Sequence, residues 1–251
     1  MRLAFVSLTV FGCKLSPFSH VVDSFLRFEK IEHEYVEVEP KKKRQMAGLD
    51  TILMPCLVVE DKAQAGNEDG KKTKKIIVKA QEIIDELQRL QGGSGRLGPF
   101  TNAQKNECMR MNEQLVPLIG LCRHLTLAAS RETVAYMKEH VDEWGAWDHF
   151  WAVKTVPFFY WRRWRKMGYR VLVETGYQAY TESPPKALFE ELEKIQDASK
   201  HIMSSGSSKP TVVDVWLFGL INSMRGETLF TRMQASCPKT VEWMDKLDKR
   251  F

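Results

Sequence analysis

The stretch Cys13-Lys14-Leu15-Ser16-Pro17-Phe18-Ser19 lies where an apolar strand turns into a helix. The preceding run, Leu3 to Val10, is rich in β-branched and aromatic residues and predicts a buried strand. Ser16 is a preferred N-cap residue, and Pro17 suits the first helical position. A helix start has unpaired N–H groups and a partial positive charge, which stabilise a thiolate or an alkoxide. This turn is therefore the first candidate for a functional site.

The first ninety or so residues predict a compact α/β unit, because strands and helices follow one another in short order. The predicted elements are strand 3–10, a helix from Pro17 to Phe28, strand 35–38, strand 52–59, strand 76–78 and a helix through 83–90. Pro55 lies at a strand entry, where a residue that cannot donate to the ladder is tolerated. Polar residues 61–75 predict an enlarged hairpin loop.

A glycine-rich linker separates this unit from a second one. Residues 92–99 contain four glycines and a proline. From Thr101 onward the apolar periodicity is helical, with breaks predicted near Gly145, Pro157, 181–185 and 204–210. We therefore predict an α/β domain at 1–91, a linker at 92–100 and an all-α domain at 101–251.

Composition and charge favour an intracellular protein. The five cysteines are odd in number and have neither CxxC nor metal-ligand spacing, which indicates a reducing compartment and no metal site. The apolar start is too short for a secretory segment, and no apolar run reaches the roughly twenty residues that span a bilayer. The net charge of +5 is mild, and the basic clusters at 41–44, 71–75 and 162–166 lack a nucleic-acid motif, so no nucleic acid is predicted as a partner.

The turn, Met54-Pro55 at a strand entry and the glycine linker into helices together resemble the glutathione transferase superfamily. Within it the sequence is most similar to the prostaglandin E synthase 2 branch, through Val36 to Pro40 and through Lys209 to Leu220. The resemblance implies a thioredoxin-like N-terminal domain followed by a glutathione-transferase-type helical domain. In the second stretch, Thr211 and Asp214 have capping-box spacing, which is a folding feature in this family.

The reactive positions depart from that branch. Its first turn is Cys-Pro-Phe-Cys, whereas serines stand at Ser16 and Ser19 here. A serine hydroxyl has a far higher pKa than a thiol, so these positions exclude dithiol redox chemistry. Ser16 is left with two interpretations, a hydrogen bond to the glutathione thiolate or a plain helix N-cap. Cys13 forms a CxxS pattern with Ser16, but Pro17 starts the helix later, so Cys13 is a catalytic candidate placed in the loop.

Glutathione binding is predicted to be weak if it occurs, and no other cofactor is expected. Related transferases grip the γ-glutamyl end of glutathione with an acidic residue and a serine just before an apolar helix residue. Those positions fall on Lys79 and Ala80, or on Ala80 and Gln81, depending on the register. The resemblance leaves the backbone of Met54, before a cis Pro55, as the remaining glutathione contact.

An aromatic and basic stretch between 144 and 169 has the most unusual composition of the chain. Aromatic residues beside arginines are enriched at interface hot spots, and they also suit an anionic membrane surface. Spacings of three and four equally suit the core of a helical domain. We interpret the stretch as part core and part partner surface, the latter formed by Trp161, Arg162, Arg163, Trp164 and Arg165.

Two functions remain open from the sequence. The first is a transferase-fold protein with a degenerate site, serving as a non-catalytic structural or binding subunit of a larger assembly. The resemblance makes that assembly mitochondrial rather than cytosolic, with other protein subunits as partners and a membrane surface as a further contact. The second is a glutathione-dependent transferase or isomerase that uses Ser16 to stabilise the thiolate.

Overall fold

A computed structural model describes residues 6–39, 43–61, 74–92, 95–139, 146–198 and 209–251. The strands are β1 Val6–Gly12, β2 Glu34–Glu37, β3 Cys56–Asp61 and β4 Lys74–Val78. The helices are α1 Pro17–Phe28, α2 Ala80–Gln91, α3 Asn102–Arg123, α4 Leu127–Glu139, α5 Ala146–Glu174, α6 Pro184–Ala198, α7 Val212–Asn222, α8 Thr228–Ser236 and α9 Pro238–Asp248. Single 3-10 turns lie at Arg44–Met46 and Gln178–Tyr180.

The strands form one mixed sheet in the order β2-β1-β3-β4. β1 pairs in parallel with β2, placing Val10 opposite Tyr35, and antiparallel with β3, placing Val10 opposite Leu57. The β3–β4 pair is also antiparallel. The parallel pair is connected by α1, as a parallel pair requires a crossover. The central strands β1 and β3 carry the buried side chains that face α1 and α2, including Leu8, Val10, Leu57 and Val59.

The helical part packs directly on the first unit. One buried cluster joins the sheet and α1 to α3, α6 and α7, so the two parts share a continuous core. The closest contact is between α1 and α7, where a Cβ built on Gly219 would lie 2.5 Å from the Cα atom of Val21. Glycine at this position lets the two backbones touch. This contact fixes α1, the helix that follows the turn, against the helical part of the chain.

The predicted fold class is confirmed: a thioredoxin-like sheet unit is followed by helices. The capping box is also present, because Thr211 N–H donates to Asp214 Oδ2 at 2.8 Å and Val213 N–H donates to Thr211 Oγ1 at 3.1 Å.

The domain boundaries, with the first domain ending at 91, the linker at 92–100 and the second domain beginning at 101, stay a prediction. Residues 62–73 of the predicted hairpin loop and residues 3–5 of the predicted first strand lie outside the described residues.

The predicted helix break at Pro157 is wrong. α5 runs from Ala146 to Glu174 with Pro157 inside it. Proline removes one backbone donor, yet the helix continues past it. The Pro157 carbonyl accepts a hydrogen bond from the Ser130 hydroxyl of α4 at 2.8 Å. The predicted break near Gly145 lies outside the described residues.

Candidate functional site

The turn between β1 and α1 is built by its own backbone. Ser16 N–H donates to the Cys13 carbonyl at 2.8 Å, and Ser19 N–H donates to the Ser16 carbonyl at 3.0 Å. The Ser19 hydroxyl is buried and accepts a hydrogen bond from Cys13 N–H at 3.1 Å. The Ser19 hydroxyl therefore stabilises the turn by this hydrogen bond, and it is buried in the protein rather than facing a ligand.

Ser16 is the N-cap residue of α1 by its backbone alone. Its φ and ψ of −85° and 115° are extended, and its side chain makes no capping hydrogen bond. Pro17 follows at the first helical position, so one of the usual N–H groups is missing there. The half-buried Ser16 hydroxyl therefore lies at the helix start but does not cap the helix through its side chain.

Cys13 is buried, at 2% exposure. Burial, followed by the nearby Glu37 carboxylate, raises the pKa of the Cys13 thiol from 9.0 to about 12. A raised pKa disfavours the thiolate, which is the reactive form of cysteine, at pH 7. The surroundings of Cys13 therefore favour the neutral thiol, and a catalytic role for Cys13 stays a prediction.

We expect the folded protein to resist thiol modification. All five cysteines, Cys13, Cys56, Cys108, Cys122 and Cys237, are buried and free, and burial raises the pKa of every one of them. A chromogenic disulfide reagent at pH 7.5 should therefore titrate no thiol in the native state and five after denaturation. One fast thiol that disappears in Cys13→Ser would restore the reactive-cysteine hypothesis.

Three apolar side chains from separate segments pack on Cys13. They are Leu15 of the turn, Met54 before Pro55, and Val156 of α5. The Met54–Pro55 peptide bond is cis, as the resemblance implied. Tyr160, one helical turn after Val156, is also close: burial first, then Cys13, raises the pKa of its hydroxyl. The helical part thus reaches the turn, and α5 contributes an apolar side chain to its surroundings.

The second candidate ligand position lies at the start of α2. The helix begins at Ala80, with Lys79 as its N-cap residue. Lys79 adopts a left-handed φ of 69°, and its Nζ is 2.8 Å from Oε1 of Glu82. Ala80 is buried and offers no hydroxyl. In either register, Lys79 with Ala80 or Ala80 with Gln81, the helix start lacks the acid and the serine that the resemblance implies at these positions.

A buried ion pair that the sequence did not predict ties the turn to the helical part. Arg123, at the end of α3, lies 2.7 Å from the Glu227 carboxylate, and both are 4% exposed. The same guanidinium donates to the Leu15 carbonyl at 3.2 Å and to the Ser223 carbonyl. His20 fixes the other side of the turn, with Nε2 2.9 Å from the Lys14 carbonyl. Burial lowers the pKa of His20 to about 4, so this contact is made by the neutral ring.

The predicted partner surface is divided between two sides of α5. Trp164 faces inward, because its ring lies against Gly120 of α3, where a Cβ would come within 2.3 Å of it. Consecutive helical residues point in different directions, so five in a row cannot share one face. Trp164 is thereby removed from the partner surface. Trp161 is half-buried beneath Arg165, whose guanidinium carbon is 5.5 Å from the ring centroid.

The exposed side of this helix carries aromatic and basic residues together. We call Phe158, Phe159, Arg162, Arg165 and Tyr169 the α5 outer face. Phe159 and Tyr169 are each 65% exposed, which is unusual for aromatic side chains. Arg163 is exposed as well, beside this face. Trp144 lies outside the described residues, and the side chains of Trp147 and Trp151 also lie outside them.

Neither a metal cluster nor a membrane-crossing helix is found in the described ranges. No group of three or more His, Cys, Asp or Glu side chains there is arranged to hold a metal ion. Within those same ranges every helix is too short or too polar to cross a bilayer. His124 contacts Ser130 Oγ at 2.9 Å through Nδ1 and stacks on the Tyr160 ring, with 4.9 Å between centroids.

The comparisons with known proteins give the class of fold. No family model matches the sequence, and no curated protein matches it. Glutathione transferase Omega 3C from Trametes versicolor aligns with a TM-score of 0.53 at 13% identity, over 97% of this chain and 86% of that one. Glutathione transferase F7 from Populus trichocarpa aligns with a TM-score of 0.53 at 10% identity, over 96% and 92%.

Glutaredoxin 2 from Salmonella typhimurium, solved in complex with glutathione, aligns with a TM-score of 0.51 at 13% identity, over 97% of this chain and 94% of that one. Identities this low establish the fold alone. The chain shares its fold, a thioredoxin-like unit followed by a helical unit, with these two glutathione transferases and this glutaredoxin.

Proposed function

We propose that this protein uses the glutathione transferase fold without its catalysis, as a binding or structural subunit of a larger assembly. The observation that carries the proposal is the packing of Leu15, Met54 and Val156 on the neutral Cys13 thiol. In a working transferase the corresponding region holds a ligand thiol. Here three apolar side chains of the protein itself pack on the buried Cys13.

The start of α2 supports the same proposal. A carboxylate at this position would bind the ligand's ammonium group, whereas Lys79 offers a cation that is already paired with Glu82. Losing one charge-assisted hydrogen bond costs on the order of 1.5 to 3 kcal/mol, which weakens binding roughly tenfold to a hundredfold. The missing thiols at Ser16 and Ser19 remove the dithiol chemistry that the prostaglandin E synthase 2 branch would use.

We expect no glutathione-dependent turnover from the purified protein. It should pass through immobilised glutathione without retention, and its rate with a general electrophilic acceptor should equal the uncatalysed rate. The Ser16→Ala variant should behave identically, because a serine that stabilises no thiolate contributes nothing to the rate. Retention together with turnover that Ser16→Ala abolishes would establish the enzyme instead.

One observation favours that second candidate, a glutathione-dependent transferase or isomerase. The Ser16 hydroxyl lies at the N-terminus of α1 and makes no capping hydrogen bond. A hydroxyl in that place can donate to a thiolate, and the helix start favours negative charge. The cis bond before Pro55 would leave the Met54 backbone to the same ligand. The turnover measurement decides between the two candidates.

The α5 outer face is our proposed partner surface, for a protein subunit that offers apolar pockets with an acidic rim. Replacing Phe159 and Tyr169 by serine should release the protein from its native assembly, because exposed aromatic residues dominate interface energies. Sedimentation of the gently isolated protein measures this. Ile52→Ser/Leu53→Ser is the matched control, since those side chains are 67% and 57% exposed on another segment. Equal sedimentation of all three proteins would contradict the assignment.

The proposal also includes a mitochondrial location and a relationship to the prostaglandin E synthase 2 branch. The similarity of residues 36–40 and 209–220 to the prostaglandin E synthase 2 branch favours a mitochondrial assembly over a cytosolic one. A basic and aromatic helix face also suits an anionic lipid surface. Sedimentation with anionic vesicles that is lost in the Phe159 and Tyr169 variant would assign the α5 outer face to lipid rather than to protein.

A further inference from the structure

A basic cavity lies at the end of α1, far along the helix from the turn. Its volume is about 510 Å³, within the range of small-molecule sites. It is lined by the segment after α1, the segment after α2, the residues before α7 and the residues after α9. Five of its lining residues are cations: Lys30, Arg96, Lys209, Lys249 and Arg250. We propose that this cavity binds clustered phosphate groups.

The side chains that line the cavity are basic or apolar. No acidic side chain is among the described residues that line the cavity. Lys30 and Lys249 are exposed, and neither forms an ion pair within the described part of the chain. Like charges gathered around one concave space repel each other and raise the local concentration of anions. A ligand with several negative charges removes that repulsion.

Lys30 holds an uncommon backbone conformation at the cavity wall. Lys30 adopts a left-handed φ of 55° immediately after α1. Its N–H donates to the Arg27 carbonyl, and Ile31 N–H donates to the Leu26 carbonyl at 2.9 Å, which is the pattern of a helix C-terminus. Glycine is favoured at this position, since a side chain there costs free energy. The chain nevertheless places a lysine at the cavity wall.

Arg96 provides a fixed guanidinium at the same wall. Its Cζ lies 4.8 Å from the centroid of the Phe28 ring, and Nη1 donates to the Phe28 carbonyl. Nη2 donates to the Arg250 carbonyl at 3.3 Å. A guanidinium has five N–H donors in a planar fork, so these contacts orient it and leave further donors for an anion. This geometry suits phosphate oxygens.

The aromatic residues of the lining argue against recognition by ring stacking. Arg96 covers the Phe28 ring, and Arg27 lies 5.9 Å from the centroid of Phe251. Phe251 also packs against Phe28 and Phe218, with centroids 5.3 Å and 4.8 Å away. These rings serve the core and its cations, so the recognised feature is charge. An organic polyphosphate and a lipid headgroup with several phosphates share that chemistry.

Calorimetric titration with inorganic tripolyphosphate tests the site directly. We expect saturable binding at one site, weakened by added salt because counterions compete with the basic side chains. Lys30→Gly/Lys249→Gln should bind at least about tenfold more weakly, since it removes two charge-assisted contacts. Lys30→Gly suits the left-handed backbone, so this variant keeps the fold, which its unfolding midpoint verifies.

Arg131→Gln/Lys186→Gln is the matched control. It removes the same charge from two exposed residues that do not line the cavity. It should bind tripolyphosphate within about twofold of the wild type, as expected when only distant, screened charges change. An equal loss in both variants would overturn the proposal, because it would show general attraction to a basic protein. Absence of saturable binding by the wild type would overturn it as well.

Vesicles distinguish the two sources of phosphate. Vesicles that contain a phosphoinositide with clustered phosphates are sedimented with each protein, beside vesicles of equal charge made from phosphatidylserine. Preference for the phosphoinositide that is lost in Lys30→Gly/Lys249→Gln assigns the cavity to a lipid headgroup. Binding of tripolyphosphate without vesicle preference assigns it to a free polyphosphate. Vesicle binding that Lys30→Gly/Lys249→Gln retains, without tripolyphosphate binding, overturns the proposal.

Discussion

Replacing Arg123 by methionine is expected to lower the free energy of unfolding by about 3 to 5 kcal/mol, the range found when one partner of a buried ion pair is removed. The substitution leaves the Glu227 carboxylate buried at 4% exposure without its cation. It also removes the hydrogen bonds to the Leu15 and Ser223 carbonyls, so the turn loses its link to α3. Denaturant unfolding measures the loss, and thiol titration should show faster modification of Cys13.

Two further variants isolate the cause. Arg123→Met/Glu227→Leu removes both charges, so it should recover much of the stability that the single variant loses. Arg170→Ala breaks an ion pair whose side chains are 78% and 57% exposed, and its unfolding midpoint should stay close to that of the wild type. A loss in Arg123→Met no greater than that in Arg170→Ala would contradict the anchoring role.

Replacing Gly219 by alanine is expected to destabilise the protein by about 2 to 3 kcal/mol, as overpacking of a close backbone contact does. The added Cβ would lie 2.5 Å from the Val21 Cα and 2.9 Å from the His20 carbonyl oxygen. Backbone atoms cannot relieve the contact by a change of rotamer, as a side chain can, so α1 and α7 must separate. The effect should appear although alanine is the better helix former by up to about 1 kcal/mol.

Gly168→Ala is the control for this prediction. A Cβ at Gly168 in α5 meets Cδ1 of Leu121, at 2.9 Å, and that methyl group is the far end of a flexible side chain. The helix preference for alanine then offsets the small adjustment, so the unfolding midpoint should change little. Equal destabilisation by the two variants would show that close approach of α1 and α7 is not what the glycine permits.

Local patterns in the sequence predicted the features that depend on neighbouring residues. The turn before Pro17, the strand entry at Pro55 and the capping box at Thr211 each follow from the backbone preferences of a few consecutive residues. The break predicted at Pro157 is wrong because the missing N–H donor of proline is only a local preference, and α5 continues past it while it contacts α4 and the core.

The candidate site depends on pairs that are distant in sequence. Arg123 meets Glu227 and Leu15 only in the folded chain, and neither spacing nor composition indicates such a pair. The burial that raises the pKa of Cys13 likewise comes from Val156 of α5 as well as from its own turn. The inward position of Trp164 is predictable from the sequence, because helical periodicity places Trp164 on a different face from Arg162 and Arg165.

We propose a transferase fold that has no transferase catalysis, and a titration with reduced glutathione tests this most directly. Binding is monitored by NMR or calorimetry for three proteins: the wild type, Ser16→Ala and Lys79→Glu/Ala80→Ser. The last variant restores the acid and the hydroxyl at the start of α2 but keeps Val156 against the turn. We predict no saturation below about 1 mM for the wild type or Ser16→Ala, and binding that is roughly tenfold to a hundredfold tighter than wild type in the third variant, because that variant regains one charge-assisted contact. Micromolar binding by the wild type that Ser16→Ala abolishes would contradict the account.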